Sequence, residues 1–364
     1  APAQCPGPTD MIEIFKAAIQ RGASDIHMKA GDFIRARING ELLPLTQQRL
    51  TPDQVEQICK QLIPHERDRE QVHMITDYDC SWGAPGIGRF RVNILRQRGT
   101  LMVVMRVIPI EVPTFDQLRL PRVLAGIAHA ERGMVLVTGV TGSGKSSTLA
   151  AMINYINQNK RKHILTLENP IEFLHRDVNS SITQRDVGQD TESFETGLRA
   201  ALREDPDVIL IGEMRDTTTI DTAMKAAETG HLVFSTLHTT NAVQTISRVI
   251  AVFPPHEQEM VRVRLAENLV AVVSQRLLPR KDGQGRIVAA EVMVVTATIR
   301  DAILDPEKMH EIYDLMAEGR EQYGSQTFDQ HLMDLVAQDL VAFEVAKAAA
   351  NNPSDFELKM RTLA

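Results

Sequence analysis

The sequence predicts an α/β protein in two parts, a small α+β domain followed by a domain built on a parallel sheet. Two observations carry this. Near residue 110 the pattern changes from short alternating runs to continuous apolar runs separated by helical stretches, the mark of strands buried on both faces. Just after the first such run, residues 139 to 146 read Gly-Val-Thr-Gly-Ser-Gly-Lys-Ser, a complete GxxxxGK[ST] phosphate loop. A chain of 364 residues has room for two or three domains. Its 43% hydrophobic and 24% charged content is that of a soluble globular protein.

Met11 to Gln20 suits an amphipathic helix, with Ile12, Phe15 and Ile19 on one face. Ile34, Ala36 and Ile38 alternate with Arg35 and Arg37, Asn39-Gly40 suits a tight turn, and Glu41 to Leu45 returns as a hairpin. Thr51-Pro52-Asp53 opens a second helix with a cap, a proline and an acid, and Val55, Ile58 and Leu62 form its apolar stripe. Phe90, Val92 and Ile94 alternate with Arg89, Arg91 and Asn93, and a strand follows at Leu101 to Val107. The first domain is thus expected over 1–110, and a proline-punctuated linker over 111–121. The α/β domain is expected over 122–296, with strands near 134–138, 163–167, 208–211 and 232–234. A helical segment is expected over 297–364, where Ile312, Leu315 and Met316, then Phe328, Leu332 and Leu335, recur at helical spacing.

The phosphate loop is flanked as its chemistry requires, by the run Met134 to Thr138 before it and a helix-compatible stretch after it. Gly139, Thr141, Gly142, Ser143, Gly144, Lys145, Ser146 and Ser147 are the nucleotide-binding candidates. Glycine N–H groups turn toward phosphates, Lys145 reaches the β and γ phosphates, and the Ser146 hydroxyl is placed for Mg²⁺. Asp207 to Glu213 is an apolar strand that ends in an acid, so Glu213 is a candidate for the metal's water shell or for orienting the attacking water. Glu168 and Glu172 stand at the exit of another strand, and either is able to orient water. His231 and His238 bracket a further strand; either a γ-phosphate sensor or a structural histidine fits that placement.

A net charge of −7 and 4% aromatic residues weigh against a general nucleic-acid binder. Cys5, Cys59 and Cys80 are too widely spaced for a disulfide framework or a zinc site. No apolar stretch is long enough to span a bilayer and the start lacks a signal peptide's pattern, so a cytoplasmic location is expected.

From about residue 11 to 345 the order of these blocks resembles the secretion-superfamily ATPases, and among them the PilT-like motors that retract type IV pili. Ala23-Ser24-Asp25-Ile26-His27 looks like the family's N-terminal signature, Gly139 to Ser146 its Walker A, and Glu168 to Glu172 its Asp box. Ile211 to Asp216 looks like its Walker B and His231 to Thr239 its His box. The resemblance implies a PAS-like first domain, a RecA-like second domain and a homohexameric ring, with ATP and Mg²⁺ bound between the domains. It implies Glu172 as the catalytic glutamate with Glu213 as its partner, and Arg91, Arg106 and His238 near the γ phosphate. Glu168 and His231 fall among its nucleotide-site positions.

As partners, the resemblance implies the pilin machinery and an inner-membrane platform protein, reached from the cytoplasmic face without direct nucleic-acid contact. Three departures stand out. Asn169 replaces an aspartate, Ser235 replaces a glycine, and at 298–305 only Ile299, Arg300 and Ile303 of the usual retraction-motor segment remain. Those three are expected to form a docking face, and the changes around them admit an accessory motor. An extension or secretion ATPase is disfavoured because no cysteine follows Cys80 to build that branch's four-cysteine motif. A nucleic-acid translocase and a ring subunit without turnover are the remaining alternatives.

Overall fold

The structure, a computed structural model, describes residues 8–38, 40–109 and 111–363. Cys5, and Asn39 of the Asn39-Gly40 turn, lie outside the described residues. Two compact units divide the chain. One holds the residues up to Glu111 with Asn169–Leu174 and Asp186–Glu192; the other holds Val112–Glu168, His175–Arg185 and the chain from Ser193 onward.

The first unit is a six-stranded sheet, β1 (Ala23–Lys29), β2 (Arg35–Ile38), β3 (Glu41–Pro44), β4 (Asp77–Ala84), β5 (Gly88–Gln97) and β6 (Thr100–Ile108), in the order β3-β2-β1-β6-β5-β4. Every recorded pairing in it is antiparallel. Helices Pro8–Gln20 and Pro52–Leu62 cover the sheet, because Phe15, Val55, Ile58 and Leu62 share a core with Ile26, Met28, Phe90 and Val92. Thr51 begins the second helix with a full capping box to Gln54, so the Thr-Pro-Asp signal acts as read. Phe15, Trp82 and Phe90 meet with ring centroids 5.3–5.9 Å apart.

The second unit holds seven strands: β7 (Gly133–Thr138), β8 (His163–Glu168), β9 (Ser181–Asp186), β10 (Val208–Ile211), β11 (Leu232–Leu237), β12 (Leu269–Pro279) and β13 (Arg286–Val294). Their order is β13-β12-β7-β11-β10-β8-β9. From β12 to β8 each pair is parallel, and β13 closes the sheet antiparallel to β12. The residues of β7, β10 and β11 are all buried, as strands covered on both faces must be. Helices follow from Ala297 to the end of the described chain.

One expectation fails here. Ile299 and Ile303, on helix Ala297–Leu304, are 1% and 0% exposed and pack in the core with Val261, Leu265 and Ile312. They are not a docking face. Their helical spacing reflects burial against the unit's own core, while Ala297, Thr298, Arg300, Asp301 and Leu304 are the exposed positions of that helix.

Candidate nucleotide site

Parallel pairing brings the chemistry to one edge of the second unit. In register, Thr138 of β7 lies beside Leu237 of β11, and Ile211 of β10 beside Ser235 and Leu167. The segments that leave these carboxyl ends, Gly139 onward, His238, Glu213 and Glu168, therefore emerge together, where open α/β sheets bind ligands.

At the end of β7 the Thr138 and Ser274 hydroxyls are 2.8 Å apart. Gly139 then turns the chain at φ +143°, and a side chain there would stand 2.5 Å from Ser143 Oγ and 2.6 Å from the Gln275 carbonyl oxygen. Only glycine fits. Gly144, at φ +93°, begins the helix Lys145–Asn159, whose first N–H groups face the loop and favour an anion. Lys145 Nζ donates to the Gly139 and Val140 carbonyls at 2.8 and 3.1 Å. Burial lowers its pKa, and Glu213 opposes that shift. Thr141, Gly142 and Ser146 are exposed, Ser147 is half-buried and Ser143 is buried.

Glu213 follows β10 and is itself half-buried. Its Oε2 is 2.8 Å from Arg215 Nε and 3.7 Å from His238 Nε2. The main chain beneath is pinned to β11: Ser235 Oγ donates to the Ile211 carbonyl at 2.8 Å and Thr236 Oγ1 to that of Gly212 at 2.6 Å. Asp216 caps the next helix, Thr217–Glu228, by accepting from Thr219 N at 2.8 Å. Glu168 accepts from Thr166 Oγ1 at 2.7 Å and from Gln184 Nε2 at 3.0 Å. Past His238, helix Ala242–Ala251 is capped by Asn241, and Ala242 N also donates to Glu291 Oε1 at 2.8 Å. Burial raises Glu291 to about 7.

Lys145, Ser146, Glu213, His238 and Glu168 are thus gathered at one sheet edge. His231 is not. It precedes β11 at the sheet's opposite, amino edge, roughly 20 Å from the phosphate loop by strand rise, with Nδ1 2.9 Å from the Ala226 carbonyl oxygen. Within its own chain it is a structural histidine, because a parallel strand presents its two ends to opposite edges.

Glu172, Arg91 and Arg106 belong to the first unit. Glu172 and Arg91 are exposed. Arg91 and Arg106 are directly opposed across β5 and β6, and Arg106 Nε donates to Asp25 Oδ1 at 2.9 Å. Burial pushes the Asp25 carboxyl up, but hydrogen bonds from Ser24 and Arg106 outweigh it and hold it below its usual range. Ser274 and Gln275 belong to none of the sequence motifs, and Arg215 has no assigned role of its own. Arg215 stands within the Walker B block, and a Ser-Gln-Arg interruption of the apolar run 269–278 was the signal for the other two.

No cluster of three or more His, Cys, Asp or Glu suited to a metal occurs among the described residues. Mg²⁺ needs none where phosphates and water complete its shell, and an exposed Ser146 hydroxyl with the Glu213 carboxylate fits that mode. No described helix is long and apolar enough to cross a membrane.

Fold and site together define a phosphate-loop nucleotide-binding α/β protein. The chain belongs to the Type II/IV secretion system protein family, whose profile matches residues 6–340. It is 43% identical to the type IV pilus retractation ATPase PilT of Pseudomonas aeruginosa over 95% of this chain and all of that one. It is 39% identical to the type IV pilus ATPase PilU of the same organism, over 96% of this chain and 91% of PilU. A crystal structure of the pilus retraction motor PilT with bound ADP superposes with a TM-score of 0.86 at 44% identity, covering 95% of this chain and 98% of that one.

Proposed function

We propose that this chain is the ATPase motor of type IV pilus retraction, a homohexamer that hydrolyses ATP at the inner face of the cytoplasmic membrane and withdraws pilin through a platform protein. The observation that carries this is the phosphate loop with Lys145 and Glu213 at one sheet edge, in a chain similar to PilT over 95% of its length. The first domain, 1–110, takes the PAS-like role and 122–296 the RecA-like role, joined by the linker 111–121, with 297–364 as the helical output segment.

Gly139 to Ser147 bind the triphosphate, and Lys145 exchanges its two loop carbonyls for phosphate oxygens. Ser146 and Glu213 hold Mg²⁺ directly or through water; bound there, the ion neutralises developing phosphate charge. Glu172 orients the attacking water, with Glu213 as its partner and His238 beside Glu213. Glu168, held by Thr166 and Gln184, steadies the exit of β8. Arg91 and Arg106 meet the γ phosphate of a neighbouring subunit.

The accessory-motor reading keeps one specific support. In helix Ala297–Leu304 the retained Ile299 and Ile303 are core, and of the departures Ala302 is buried but Thr298, Asp301 and Leu304 are exposed, so an output surface there differs from the usual retraction motor's. Time-lapse imaging of labelled pili in a strain lacking the gene separates the two. A principal motor's loss stops retraction. An accessory motor's loss leaves pili retracting unloaded but failing under load, and unaltered retraction in both conditions overturns the proposal.

A further inference from the structure

Gln275 lies on β12, one residue past the Ser274–Thr138 pairing with β7. The residues before it, Ala271, Val272 and Val273, are buried and apolar, and Gln275 itself is 1% exposed. A primary amide in such a place destabilises the fold unless it is hydrogen-bonded. Its Nε2 donates to Thr148 Oγ1 at 2.7 Å, while its Oε1 is buried with no hydrogen-bond partner among the described residues, so the bond to Thr148 is what offsets the amide's burial. Thr148 is on the opening turn of the loop helix, where its N–H donates to the Gly144 carbonyl at 3.0 Å. At the loop's other end the Gln275 carbonyl oxygen closes on Gly139, 2.6 Å from where a side chain would begin. One residue of the neighbouring strand thus touches both ends of the phosphate loop. Ser143 Oγ, wedged against the same Gly139 position, is buried with no hydrogen-bond partner among the described residues, so it supplies no competing tether.

Resting on the nucleotide-site reading above, we propose that Gln275 is a positioning residue: through Thr148 and Gly139 it fixes the span of the phosphate loop and thereby sets affinity for the nucleotide without touching it. Affinity is the quantity exposed to this bond, because loop N–H groups bind phosphate well only when their spacing is set before the ligand arrives.

The test is titration of the full chain with ATP and ADP beside steady-state hydrolysis. Gln275→Met keeps length and removes the amide; Thr148→Val keeps shape and removes the hydroxyl; Thr148→Ser restores the hydroxyl. Each of the first two is expected to weaken Kd for both nucleotides on the order of tenfold, with kcat at saturating ATP within about twofold of wild type. The double variant is expected to be no weaker than either single one, since both remove the same bond. Thr148→Ser should bind as wild type does. Unchanged Kd with reduced kcat, or fully additive losses in the double variant, overturns the positioning role. Should Gln275→Met fail to fold, the Thr148 pair decides alone. If wild type binds no nucleotide, or Lys145→Ala binds as well as wild type, the nucleotide-site reading itself fails.

Discussion

Lys145 and Glu213 stand at the same sheet edge, and their surroundings suit them to the opposite duties proposed for them. Lys145 is half-buried over two loop carbonyls, so its charge is already desolvated and aimed. Glu213 Oε2 is paired with Arg215 and lies near His238, which fixes the direction of its carboxylate. Lys145→Ala is expected to abolish ATP binding. Glu213→Gln and Glu172→Gln are expected to spare binding but lower turnover by about 10²–10⁴, the usual loss when a positioned base is removed. Nucleotide titration with a phosphate-release assay distinguishes them, and near-normal hydrolysis in either glutamate variant would reject that residue's role. The serine that replaces the family's glycine is absorbed quietly: Ser235 is fully buried, and its hydroxyl is satisfied by the Ile211 carbonyl.

Helix Ala297–Leu304 illustrates at the scale of an element how spacing misleads. A helical stripe of isoleucines is the same pattern for a docking face and for a core face, and periodicity alone cannot separate them. Burial does. Ile303→Ala is expected to destabilise the protein by about 2–5 kcal/mol, read as a shift in the denaturant midpoint, whereas Arg300→Ala on the exposed side should leave the midpoint nearly unchanged. A midpoint that Ile303→Ala fails to move would restore the docking reading. Strands β7, β8, β10 and β11 were legible because double-sided burial writes continuous apolar runs. β4 was not: Tyr78, Cys80, Trp82 and Ala84 do alternate with Asp77, Asp79, Ser81 and Gly83 and pack on the core, but the segment has no β-branched residue and its acids and glycine read as loop. β12 and β13 went unread because Ser274, Gln275 and Glu291 interrupt their runs, and only tertiary partners across 49 to 136 residues of sequence account for those side chains. The site shows the same limit: a contiguous loop such as 139–146 is readable, but which end of a strand a histidine occupies relative to another strand's loop depends on sheet order.

On the scale of the whole assembly, the first unit presents two exposed arginines side by side, only one of which is paired with an acid in the contacts described above. Arg91 and Arg106 stand directly opposite one another on neighbouring strands, where like charges repel by about 0.2–1 kcal/mol. Asp25 pairs with Arg106, yet the arginine side chain is still 70% exposed. If these arginines serve a neighbouring subunit's γ phosphate, hydrolysis requires assembly and the two halves of a site can be supplied by different chains. Rings mixed from Arg106→Ala and Lys145→Ala subunits, each inactive alone, are then expected to regain part of the wild-type rate. In such rings an interface that pairs the intact Arg106 of one chain with the intact Lys145 of the next is complete. An arginine aimed at transferring phosphate is worth roughly 10³–10⁵ in rate, so a minority of complete interfaces rises far above either parent. Native mass spectrometry verifies the mixing and a phosphate-release assay measures the rate. Rings shown to be mixed yet no faster than their parents would place the arginines' action within one chain and remove the need for assembly.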